Sequence, residues 1–87
     1  MKEYQSNEEF FSAVKDLASK LENTGHKEAA SELLKGIRML NGLTDGWADF
    51  MNALDEIVKQ YSKELNDVDI QTLKNFHSVA KKAVYRS

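Results

Sequence analysis

The sequence predicts an all-α fold, a small antiparallel four-helix bundle, on three observations. Apolar residues recur at helical spacing through four separate stretches. The chain has no Pro and only four Gly, too few turn residues for an all-β domain. Its 87 residues, 41% hydrophobic and 30% charged, give room for one domain over residues 1–87, too apolar to be disordered and too polar for a bilayer.

The first helix, about 7–23, starts after Ser6, which stands three residues before Glu9 in the spacing of a capping box. Glu8 and Glu9 also face the positive end of the helix dipole. Phe10, Val14, Leu17 and Leu21 form its apolar stripe, with Phe11 and Ala18 beside it. Asn23-Thr24-Gly25 ends it, and Gly25 suits the left-handed conformation that follows a helix.

The second helix, about 26–41, buries Ala30, Leu33, Leu34, Ile37 and Leu40. Gly36 inside it costs about 1 kcal/mol relative to Ala, which a close approach by a neighbouring helix would explain. Asn41-Gly42 is its expected stop. The third, about 45–65, is capped by Thr44 or Asp45 and carries Trp47, Phe50, Met51, Leu54, Ile57, Val58, Tyr61 and Leu65. The fourth, about 68–85, is capped by Asp67 or Asp69. Its stripe is Ile70, Leu73, His77, Ala80 and Val84, flanked by Phe76 and Ala83. Amphipathic helices joined by short turns pack as antiparallel neighbours.

No apolar run approaches the roughly 20 residues needed to span a membrane. The N-terminus lacks the apolar core of a signal peptide, so a soluble, cytoplasmic protein is expected. A chain this short buries only about 60% of its unfolded surface, and dimerisation would widen a thin stability margin. The core is too small to hide a deep pocket.

Catalytic chemistry finds little support, and no cofactor or metal is expected. There is no Cys, and a zinc site needs about four ligands where Glu22, His26 and His77 offer two at best. His77 falls on the predicted stripe of the last helix. There it either bonds a neighbouring polar group or, protonated beside apolar side chains in acid, loosens the bundle. Asn41-Gly42-Leu43-Thr44-Asp45-Gly46 has two glycines before a helix but lacks the Gly-Lys-Ser/Thr ending of a phosphate loop. Asp45, Asp49 and a carbonyl fall short of a calcium site.

Charge placement says more. Between Met39 and Val58 there is no Lys or Arg, but there are Asp45, Asp49, Asp55 and Glu56. Positions 45, 49, 52 and 56 share one helical face, an acidic ridge beside Trp47 and Phe50. Acids near a helix start are stabilising in any case, and Asp55 can pair with Lys59. The functional reading is a docking surface for a basic partner, such as a nucleic-acid-binding protein or a nuclease toxin.

Residues 67–87 have the opposite sign: Lys74, Lys81, Lys82 and Arg86 against Asp67 and Asp69, a balance of +2. Four cations without a base-reading pattern make a weak nucleic-acid surface. Asn23-Thr24-Gly25-His26 suggests a helix-turn-helix, but Glu28 and Glu32 stand where groove contacts belong. Phe10 and Phe11 cannot both point inward, so Phe11 is the candidate half-exposed anchor, with Met39 and Tyr85 also off their stripes.

The leading expectation is a non-enzymatic module that binds another protein, or a second copy of itself, through Asp45, Asp49, Asp55, Glu56, Trp47 and Phe11. In its sharper form it is an immunity- or antitoxin-like inhibitor of a basic toxin. Small acidic helical bundles include proteins of both kinds, but no motif here matches either, so the likeness is an analogy of fold. The alternative is a nucleic-acid accessory protein using Lys74, Lys81, Lys82 and Arg86.

Overall fold

The computed structural model of the chain describes residue 4, residues 6–38, residue 40 and residues 46–86, with Arg86 by its backbone alone. The expected features at Met39, Asn41, Gly42, Thr44 and Asp45 lie outside the described residues. Four helices follow in order, α1 (Asn7–Asn23), α2 (Lys27–Arg38), α3 (Gly46–Tyr61) and α4 (Asp67–Arg86).

Each start and stop has a local cause. Ser6 is extended and its Oγ accepts the Glu9 N–H at 3.1 Å, satisfying one of the donors that a helix start leaves free. At the other end of α1, His26 N–H reaches Leu21 C=O at 2.8 Å and Gly25 N–H reaches Glu22 C=O at 3.2 Å. That double closure is a Schellman motif, and Gly25 takes the φ of +90° it needs. His26 then gives its carbonyl to Ala30 N–H, so the chain re-enters a helix at once.

Two expectations about the α3–α4 junction need correction. The third helix does not run to Leu65; it ends at Tyr61, whose carbonyl accepts from both Glu64 and Leu65 in a tight turn. Leu65 is still buried, but from the turn. The cap of α4 is Asn66, rather than Asp67 or Asp69: its Oδ1 accepts the Asp69 N–H at 2.8 Å. Leu65 just before that cap and Ile70 at the fourth helical position have the spacing of a hydrophobic staple.

The helices run antiparallel, as cross-contacts show. On α1 and α4, Lys20 meets Asp69 while Phe10 meets Phe76. On α2 and α3, Gly36 lies against Phe50 and Ala53 while Glu28 lies against Tyr61. On α3 and α4, Asp55 meets His77. The radius of gyration is 12.0 Å, the value of about 12 Å expected for a close-packed chain of this length.

Phe10, Phe50 and Phe76 are each no more than 1% exposed. Phe10 stands edge-on to both others, at 5.9 and 5.4 Å between centroids, the geometry that the ring quadrupole favours. Val14, Leu21, Leu33, Leu54, Ile57 and Leu73 are the other large side chains fully buried with them. The stripe of α4 is Leu73, Phe76 and Ala80, so Phe76, expected as a flank, is central and His77 lies at the edge. Among the described residues, no helix is long and apolar enough to cross a membrane.

Candidate interaction surfaces

The predicted acidic ridge is only partly assembled. Asp49, Asn52 and Glu56 are exposed along α3. Ala53, four residues after Asp49 and three before Glu56, would touch a methyl at Gly36 of α2 at 3.2 Å. Asp49 and Glu56 therefore border the seam where α2 and α3 meet. Asp55 turns the other way. Its Oδ1 lies 3.1 Å from Nε2 of His77 on α4, instead of pairing with Lys59 along its own helix. Both partners are substantially solvent-accessible, so the contact contributes little to stability.

The α2 side of the same seam carries acids that the sequence reading had not joined to the ridge. Glu28 and Glu32 stand eight and four residues before Gly36, in the row that touches α3. Tyr61 registers them: its hydroxyl donates to Glu28 at 3.5 Å. Partial burial, then the charges of Glu28, Glu32 and Glu64, hold its hydroxyl above the ordinary value of 10.0. Glu28, Glu32, Asp49, Glu56 and Glu64 are all exposed. Glu28 and Glu32 could have been found in the sequence only with the pairing of α2 and α3 in hand.

Trp47 and Phe11 are both half-buried, Phe11 as its half-exposed position off the stripe implies. The indole lies 5.7 Å from the Phe10 ring and 6.4 Å from the Phe11 ring, and Tyr4 closes on Phe10 at 5.2 Å. The rings form a lid on the core. Burial, then the nearby Glu9, raises the Tyr4 hydroxyl, against a hydrogen bond with Asn75 that lowers it.

On α4, Lys74, Lys81 and Lys82 are exposed, and Tyr85 is 74% exposed. Lys74 and Lys81 share a row while Lys82 stands round the helix from them, so they make no continuous cationic groove. A different ion pair is structural. Asp69 is 2% exposed and accepts from Lys20 Nζ at 2.9 Å, fastening α1 to α4. Among the described residues no three metal-ligating side chains are grouped, and His26 sits in the α1–α2 turn. No protein-family model, no curated protein and no solved structure matches the chain.

Proposed function

We propose that the chain is a non-enzymatic protein-binding module that offers the α2/α3 seam to a basic protein. The observation that carries this reading is the exposure of Glu28, Glu32, Asp49 and Glu56 along one helix–helix seam, with Glu64 in the turn that follows α3. Acids crowded together raise the energy of a folded chain by mutual repulsion, and a cationic partner would relieve it. Their field would speed encounter with such a partner more than it deepens the final affinity. A nucleic-acid-binding protein or a nuclease toxin has the required charge, and an inhibitor of such a toxin would act by covering its active surface.

The test is affinity capture from the native host with the intact chain and with Asp49→Lys/Glu56→Lys. The wild type should retain a basic partner at low ionic strength and release it as salt screens the seam. The double variant should fold normally and retain none. Equal retention by both would reduce the seam to a solvated face.

A further inference from the structure

The opposite flank of α2 has the opposite charge. Lys27, Ser31, Lys35 and Arg38 follow one another at intervals of four, four and three residues, a single row along the helix. Together with Ala30, Leu34 and Glu22 of α1 they line a cavity of about 330 Å³. Among the described residues, none of the three cations makes an ion pair. Lys35 and Arg38 lie in the last turn, where the helix dipole favours them, but Lys27 opens the helix, where the dipole opposes a cation.

We infer that this groove binds a small phosphate monoester. Three cations against the single carboxylate of Glu22 leave +2, the charge that a monoester carrying roughly −1.5 to −2 at neutral pH cancels. Lys35 and Arg38, three residues apart, clamp the phosphoryl oxygens, with the Arg38 fork able to take two of them. Ser31, one turn before Lys35, supplies a hydroxyl donor. The ester's carbon chain lies on the partly exposed Leu34.

The experiment is chemical-shift mapping on the intact chain, titrated at constant ionic strength with inorganic phosphate, n-butyl phosphate, chloride and oligothymidylate. Butyl phosphate should shift the amides of Ser31, Leu34, Lys35 and Arg38 saturably, at lower concentration than inorganic phosphate because Leu34 adds apolar contact. Lys35→Gln/Arg38→Gln should weaken that binding about tenfold or more. Lys74→Gln/Lys81→Gln, on α4, should leave it unchanged. Shifts that chloride reproduces, that do not saturate, or that the α4 pair abolishes equally would overturn the assignment. Tighter engagement of the same amides by oligothymidylate would overturn it too, in favour of a nucleic-acid surface.

Discussion

A methyl group added at position 36 would stand 3.0 Å from Cδ1 of Phe50 and 3.2 Å from Cβ of Ala53. Phe50 is fully buried and held edge-on by Phe10, so its ring cannot yield cheaply. Gly36→Ala gains about 1 kcal/mol of helix propensity and incurs an overpacking cost of about 1–3 kcal/mol. A net loss on the order of 1 kcal/mol is expected, and a larger one for Gly36→Val, read from the urea midpoint. The tyrosines give a pH-dependent counterpart. A hydroxyl held above its ordinary value in the fold stabilises the protein fully below that value and ceases to do so as pH rises through the raised one. Tyr4 and Tyr61 therefore weaken the bundle above pH 10.0. Tyr61→Phe should flatten the alkaline limb of the melting curve. Glu28→Gln/Glu32→Gln should bring the Tyr61 phenolate absorbance step part of the way back, since burial remains.

Among the elements, the caps and the Lys20–Asp69 ion pair carry the most specific predictions. Gly25→Ala forces a side chain into the left-handed region and should cost about 1–2 kcal/mol. Asn66→Ala removes the cap of α4 and should cost about 1 kcal/mol. Asp69 and Lys20 are coupled through their bond, so Lys20→Met and Asp69→Asn should be non-additive in a double-mutant cycle by thermal melting. The same junctions mark where sequence reading reached its limit. The span of α1, the left-handed Gly25 and the close approach at Gly36 were all legible, because capping and periodicity are local. Leu65 falls in the helical pattern of α3 only because an apolar residue in a turn can keep helical spacing by coincidence. Asp69 was read as a cap because its partner Lys20 lies 49 residues away. Periodicity says which face is apolar and is silent on what lies across from it; hence Asp55 was given to Lys59 rather than His77, and Glu28 and Glu32 stayed outside the acidic ridge.

Over the whole molecule, α2 divides two fields of opposite sign, the acidic seam with α3 and the cationic groove with α1. The residues on both are exposed, so charge changes there should each alter stability by no more than about 0.5 kcal/mol. Asp49→Lys/Glu56→Lys combined with Lys35→Gln/Arg38→Gln should unfold at the midpoint that the separate pairs add up to. That independence lets one face be disabled while the other is assayed. The chain's single tryptophan is Trp47, and its tilted contacts with Phe10 and Phe11 make it a built-in fluorescent gauge of whether the first and third helices are shut. Emission should move to the red as water reaches the indole. A red shift that runs ahead of the loss of helical circular dichroism would mark this aromatic end as the first part of the bundle to open.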